Sequence, residues 1–543
     1  MLFNSPEFIF AFLPIALLGY FLLGSRSRPA ALVWLTAASL FFYAWWRPVN
    51  VLIIAPSIAI NYLLARLLLK LVASGEQRLG AARWVLGLGI VFNLCFLGYF
   101  KYINFLATIA NDLTGADFVL VELILPLGIS FITFQKIAFL VDVYGRRVQS
   151  FTLGNYALFV LFFPQLIAGP IVHYRELMPQ FERVTCRFDT DAFSVGATLF
   201  VFGLFKKVVM ADGISAYSSP LFDAAAGGTA LSLPTAWIAA LGFTLQMYFD
   251  FSGYSDMALG LARMVGVRLP PNFDSPLKAT SMVDFWLRWH MTLTRFLTAY
   301  LYNPLVLWLT RRRAARGKSA IGGRATTFSA FLTLLAAPTM LTMLASGVWH
   351  GAGYMFLLWG LLHGMLLSIN HAWRIFAGRL LGKGASTLAK GWPGFALTFL
   401  CVVVAMVFFR SANGPAAKSI LQGMFGLHGF GVPQSVFGPL ASWAARSGGW
   451  LYASGEMSAT DLIFALAWVA ALLGVALLLP NSLQVLERFT PALSTAKPAG
   501  DAGWLRRTLT WAPSPAWAVA TCVLAGVAVW RLGGQGEFLY WQF

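Results

Sequence analysis

The chain has 543 residues, of which 59% are hydrophobic and only 11% charged, against roughly 25% charged in ordinary soluble domains. So little polar surface cannot cover a body of this size in water, which excludes disorder, a collagen-like rod and a water-soluble enzyme, and leaves an all-α polytopic membrane protein. The 39 Lys and Arg exceed the 21 Asp and Glu to give a net charge of +18, which in a membrane chain reads as basic cytoplasmic loops rather than as a nucleic-acid surface.

The first apolar run, Phe8 to Leu23, has no Lys or Arg before it, and Arg26 and Arg28 follow it. A secretory signal has the opposite order, so this run is expected to be a retained helix with its N-terminus outside. Further apolar runs follow at Ala31–Trp46, Val51–Val72, Trp84–Tyr102, Phe118–Val143, Tyr156–Val172, Ala192–Val209, Ala236–Leu261, Phe296–Leu309, Phe328–Val348, Tyr354–Ile369, Phe395–Phe408, Leu462–Leu479 and Ala516–Trp530. At about 20 apolar residues per crossing they predict about 10 to 13 transmembrane helices. Phe296–Leu309 would be about 21 Å long as a helix, too short for about 30 Å of hydrocarbon, and is expected to dip and return. Pro and Gly inside several runs predict broken helices, which membranes tolerate only where the break is buried in protein or lines a cavity.

Three basic loops, Ala73–Arg83, Arg311–Arg324 and Arg374–Lys390, are expected in the cytoplasm. The longest polar connection, within 411–460, is poor in basic residues and is expected outside, as a periplasmic loop. No repeat and no separate soluble segment is visible, so 1–543 reads as a single membrane-embedded domain with a motif-rich core at 131–371. Cys95, Cys186, Cys401 and Cys522 lie far apart with no Cys-x-x-Cys, which argues against a disulfide framework and against a thiolate metal site.

Ionisable residues inside apolar runs are costly and mark candidate sites. The densest stretch, Asp284-Phe285-Trp286-Leu287-Arg288-Trp289-His290, follows Asn272-Phe273-Asp274-Ser275-Pro276. On a helix Asp284 and Arg288 pair at i,i+4, while His290 faces elsewhere. A horizontal amphipathic helix at the membrane surface and a helix presenting a functional His both fit. In Ser346-Gly347-Val348-Trp349-His350-Gly351-Ala352-Gly353, glycines permit close approach and bending beside a His that is either a general base or a satisfied packing residue. His363 and His371 lack that setting and read as structural. His290 and His350 lie 60 positions apart with no ligand spacing on one helix, so no metal is expected.

Between Gln246 and Asp256, Asp250, Ser252, Tyr254, Ser255 and Asp256 interrupt an apolar run. Ser252 and Asp256 share a helix face, which suits a proton relay or a buried network tying helices together. Phe162-Phe163-Pro164-Gln165 with Gly169-Pro170-Ile171 predicts a helix break around Gln165, either a kink or a cavity lining.

With these residues the sequence resembles the membrane-bound O-acyltransferase superfamily, especially the bacterial branch that holds the membrane protein of alginate O-acetylation and the D-alanyl transferase of teichoic acids. The resemblance runs in order through Phe131-Ile132-Thr133-Phe134-Gln135, Phe163-Pro164-Gln165, Gly169-Pro170-Ile171, Phe205-Lys206-Lys207, Tyr248 to Asp256, Asp284-Phe285-Trp286, Arg288-Trp289-His290, Tyr300-Leu301-Tyr302 and Ser346 to Gly351, and ends in Phe538 to Phe543. It implies a ring of tilted, broken and horizontal helices around a tunnel. It implies that His350 is the catalytic His and His290 the second, family-typical His, with Asp284, Arg288, Trp289, Trp349, Gly351, Asp250, Tyr254, Asp256 and Gln165 supporting them or lining the tunnel. It further implies acetyl-CoA or another acyl thioester as donor, a bacterial inner-membrane location among membrane lipids, a periplasmic acetyltransferase partner, polysaccharide export machinery, and O-acetylation of a secreted or cell-envelope polysaccharide.

The sequence departs from the alginate type at Leu287, where a second Arg is usual, and around Tyr300-Leu301-Tyr302, where Thr298-Ala299 precede and Asn303-Pro304-Leu305-Val306 follow. These departures bear on the acceptor. D-alanyl transfer and other acyl transfer to an envelope polymer, protein or lipid are the alternatives within the enzyme class. A non-catalytic transporter or scaffold of polysaccharide export is the alternative outside it, with a metal-dependent hydrolase a lesser one. Arg263, Arg268, Lys278, Arg288 and Arg295 against Asp274 and Asp284 suggest that His290 lies near the cytoplasmic face, serving the donor, while His350 does the chemistry.

Overall fold

A computed structural model of the chain describes residues 1–120, 123, 125–319, 321–322, 326–380, 391–493, 504–533 and 539. Among them the backbone is helical nearly throughout, and the one sheet is a parallel pair of four-residue strands, Phe430–Pro433 and Leu451–Ser454. Among the described residues seven helices are long and apolar enough to cross a membrane, and Phe8–Gly24, Arg28–Ala44 and Pro515–Trp530 are shorter apolar helices. Their outer faces carry bare large apolar side chains such as Leu52, Leu63, Trp84 and Ile463. Water would penalise that surface and lipid does not. The protein is an all-α, multi-pass membrane protein.

The chain forms two compact units. The first comprises Met1–Phe205, Gly253–Asn272 and Ser482–Gly533, and the second contains Lys206–Ser252, Phe273–Asn481 and Leu539. The helix Leu233–Met264 gives its earlier part to the second unit and its last turns to the first.

In the first unit, two pairs of polar groups meet inside the apolar body. Asn93 Nδ2 donates to Asn61 Oδ1 at 2.6 Å, and Lys136 Nζ donates to Ser57 Oγ at 2.6 Å. A Cβ at Gly196 would stand 2.6 Å from Gly260 O, and one at Gly203 would stand 2.4 Å from Gly253 O. Two helices thus cross on facing glycines seven residues apart, the small-residue packing that replaces hydrophobic drive inside lipid.

Several apolar runs are divided differently from their hydropathy. Among the described residues of Phe118–Val143 the helix begins only at Ile129, running to Tyr144, after left-handed Gly115 (φ 66°), Pro126 and left-handed Gly128 (φ 65°). The run from Tyr156 breaks at Phe162, between the helices Leu153–Leu161 and Phe163–Leu166. Phe296–Leu309 is not an isolated short helix. It lies inside an unbroken helical run from Met291 through a π-helical turn at Thr298–Tyr302 to Ala314, about 36 Å at 1.5 Å per residue. Its length therefore gives no reason for a dip. Arg374 lies within the helix Tyr354–Leu380 rather than in a loop, and residues 381–390 of that expected loop lie outside the described residues.

The 411–460 stretch is folded. It holds the helices Gly414–Met424 and Gln434–Arg446 and both strands. Glu456 fastens it to the start of the helix Leu233–Met264. Its carboxylate accepts from Ser232 N (3.0 Å), Ser232 Oγ (3.1 Å), Ser454 Oγ (2.9 Å), Tyr452 OH (3.2 Å) and Thr235 Oγ1. Burial, and then the neighbouring Glu456 carboxylate, raise the Tyr452 hydroxyl above its usual pKa.

Candidate active site

His350 ends the helix Ala337–His350, which packs as a hairpin on Tyr354–Leu380. The glycines around it supply space. A Cβ at Gly347 would meet Phe356 O at 2.3 Å, and one at Gly351 would lie 2.1 Å from the Phe356 ring. Gly351 itself is extended (φ −159°), so it is the close approach, not a left-handed turn, that excludes a side chain here. The hairpin sets the His350 ring 5.1 Å from Trp359, 4.9 Å from Trp349 and 5.4 Å from Phe409, centre to centre.

His290 is reached by a different local device. The helix Met282–Arg288 is capped by Ser281, whose hydroxyl accepts from Asp284 N (3.1 Å), and it stops at Arg288. Trp289 is extended (φ −99°, ψ 130°), and His290 is left-handed (φ 43°, ψ 51°) before the next helix opens at Met291. Left-handed backbone is strained for a residue other than glycine and is enriched at functional sites. The turn buries the imidazole completely, 4.7 Å from Phe251 and 6.1 Å from His350, ring centre to ring centre. The two imidazoles are therefore neighbours, and a division in which His290 serves the donor and His350 does the chemistry would have to operate across that short distance.

The remaining expected site residues fall into five groups. Trp349 and Gly351 adjoin His350, and Trp349 also lies 5.7 Å from the His290 ring. Trp289 stacks on Phe285 at 5.5 Å and meets Phe273 at 5.1 Å, forming the wall behind His290. Asp284 and Arg288 form the pair their spacing predicts, Arg288 Nε donating to Asp284 Oδ1 at 2.8 Å. Asp284 Oδ2 also accepts from Thr280 N (3.2 Å) and Arg288 Nη1 donates to Asp274 O (3.5 Å), so both brace the turn from its partly exposed side.

Asp250 sits in a buried ionic cluster. Lys207 Nζ lies 2.8 Å from Asp250 Oδ1 and 2.6 Å from Asp212 Oδ1, and Leu539 N donates to Asp250 Oδ2 at 3.3 Å. Lys207 comes from the π-helical turn Lys206–Ala211, and Asp212 opens the helix that follows it. Asp250 thereby anchors the Leu539 backbone; the other residues of the expected Phe538–Phe543 motif lie outside the described residues. Gln165, Tyr254 and Asp256 belong to the first unit. Gln165 Nε2 closes the broken helix onto Phe159 O at 2.6 Å, Tyr254 stacks on Phe3 at 4.7 Å, and Asp256 is buried.

Sequence reasoning set His363 aside, yet it belongs to the cluster. It is fully buried, 4.5 Å from Trp359 ring to ring, and its Nδ1 accepts from Trp286 Nε1 at 3.2 Å. Its local pattern, Trp359-x-x-x-His363 with Gly360 and Gly364 between and beyond, puts the two rings on one helix face but carries no sign of Trp286. A pocket of about 290 Å³ opens beside it, lined by Trp286, Leu297, Tyr302, Thr342, Leu367 and His371 among others. Among the described residues no three His, Cys, Asp or Glu side chains are grouped to hold a metal ion.

A model of the membrane-bound O-acyltransferase family matches residues 86–332. The peptidoglycan O-acetyltransferase of Helicobacter pylori is 40% identical over 459 residues, covering 79% of this chain and 80% of that protein. The chain belongs to the membrane-bound O-acyltransferase family. It is an O-acyltransferase, and its reaction requires an acyl donor. A protein described as a probable alginate O-acetylase from Pseudomonas aeruginosa is 39% identical over 433 residues, 78% of this chain and 75% of that one. The teichoic acid D-alanyltransferase of Streptococcus thermophilus is 28% identical over 250 residues, 46% of this chain and 57% of its own length.

Proposed function

We propose that this O-acyltransferase takes an acetyl group from acetyl-CoA, or a related cytoplasmic thioester, and passes it across the bacterial inner membrane for O-acetylation of a secreted or cell-envelope polysaccharide. The observation that carries the reading is the buried pair of imidazoles, 6.1 Å apart at the end of the glycine hairpin, in a chain about 40% identical to two O-acetylating proteins by name. His350 is the general base. Its neutral imidazole takes the proton of the attacking hydroxyl, the oxygen adds to the thioester carbonyl, and collapse expels the thiol, which recovers that proton. His290 orients the reacting groups from the opposite side.

A periplasmic acetyltransferase and export machinery complete transfer to the polymer in this scheme. The test is acetate released by mild alkali from secreted polymer, wild type against His350→Ala at matched membrane levels. A general base contributes typically 10²–10⁴-fold, so acetate should vanish while polymer is still exported. Unchanged acetate in His350→Ala, with acetate lost in the null strain, overturns the role of His350. Unchanged acetate in the null strain as well moves the acyl group or acceptor elsewhere, with D-alanine next to assay because of the teichoic acid relative.

A further inference from the structure

The bond between Trp286 and His363 fixes more than a contact. An indole N–H can only donate. Trp286 Nε1, 3.2 Å from His363 Nδ1, therefore requires a lone pair on Nδ1, which makes His363 a neutral imidazole with its proton on Nε2. That Nε2–H is buried and has no hydrogen-bond partner among the described residues, and neither does the Nε1–H of Trp359, one helical turn earlier on the same face. A buried donor left unmade costs about 1–3 kcal/mol, and two on adjacent, touching rings is a costly arrangement for packing alone. The Trp359 ring in turn lies against His350 at 5.1 Å. Two neutral donors on touching rings, one of those rings lying against the general base, are groups of the kind that stabilise an oxyanion.

We infer that His363 Nε2–H and Trp359 Nε1–H bind the acyl carbonyl oxygen of the donor, with Trp286 as the positioning residue that sets the His363 tautomer. This rests on the acyl-transfer reading above. As the acceptor oxygen bonds to the carbonyl carbon, the C=O π pair moves onto the oxygen held by these donors. The pair then returns to re-form C=O as the C–S bond breaks, and the sulfur keeps that bond's electrons and takes the proton His350 removed. His363 carries no net charge through the cycle, and its Nε2 proton stays in place.

The test separates the two nitrogens of His363. In His363→Asn the side-chain oxygen can still accept from Trp286, but nothing reaches the place of Nε2. In His363→Gln the amide nitrogen reaches that place. Turnover of acetyl-CoA by purified protein in native membranes is measured by thiol release in the presence of envelope polysaccharide, with His350→Ala and Trp359→Phe alongside. Removing one oxyanion donor costs about 10²–10³ in kcat. His363→Asn and Trp359→Phe should each lose that much at nearly constant KM for acetyl-CoA, while His363→Gln stays within about tenfold of wild type and keeps the wild-type pH profile. Wild-type kcat in His363→Asn overturns the inference, and so does a larger loss in Gln than in Asn, which would assign His363 to supporting Trp286 alone. Wild-type turnover in His350→Ala would overturn the base assignment instead, and the Asn–Gln comparison would still decide the donor site.

Discussion

At the scale of single residues, the two imidazoles of the pair are presented by opposite means. His350 rides on a regular helix end and owes its place to the missing side chains of Gly347 and Gly351. His290 is held by strain, since its left-handed backbone costs on the order of 1–3 kcal/mol and persists only because its surroundings enforce it. Asn tolerates that region far better than most residues, so His290→Asn tests the ring apart from the turn. The variant is expected to keep the wild-type melting temperature in detergent while acetyl transfer falls at least about tenfold, the modest end of what an orienting or proton-handling group contributes. Full activity would show that position 290 serves only to shape the turn. The His350 motif was legible because a His ringed by glycines between apolar runs is an unusual local pattern. His363 was not, because its significance comes from Trp286, 77 positions away in sequence, and no local spacing encodes that meeting.

At the scale of elements, hydropathy located the apolar segments but not their divisions. It could not place the start of the helix at Ile129 within an apolar run, since that boundary is drawn by left-handed Gly128. It also ended the segment after His290 too early, because Arg311, Arg312 and Arg313 are polar yet still helical. Arg313 folds back to donate to Thr333 Oγ1 (2.8 Å) and Ser329 Oγ (3.2 Å), which ties that helix to the one beginning at Phe328. The glycine hairpin gives a direct test of packing. At Gly347 a methyl group would lie 2.3 Å from backbone oxygen, whereas at Gly378, on the exposed side of the second helix, nothing lies within 4 Å. Gly347→Ala must part the two helices, at about 1–3 kcal/mol by the usual cost of overpacking, and should lower both thermal stability and acetyl transfer. Gly378→Ala should be neutral or stabilising by about 0.5–1 kcal/mol, because alanine loses less freedom in a helix. Equal melting temperatures for the two variants would remove close helix approach as the reason for glycine at 347.

At the scale of the whole molecule, the adjacency of His290 and His350 changes what two-sidedness can mean. Sequence charge suggested that His290 serves the donor near the cytoplasmic face while His350 does the chemistry, and with the rings 6.1 Å apart both roles would meet at a single point of transfer. Donor and acceptor must then differ in how they arrive, since a charged nucleotide thioester does not cross hydrocarbon unaided. The excess of Lys and Arg, concentrated in segments such as Arg311–Arg316, marks the face expected toward the cytoplasm and the face from which acetyl-CoA should enter. Inside-out membrane vesicles, with that face outward, should consume added acetyl-CoA and place acetyl groups on polysaccharide trapped in the lumen, and His350→Ala vesicles should not. Right-side-out vesicles given acetyl-CoA externally should be inactive until permeabilised. Equal activity from both orientations would mean that the thioester reaches the imidazole pair from either face, and would replace transfer across the membrane with transfer on one side of it.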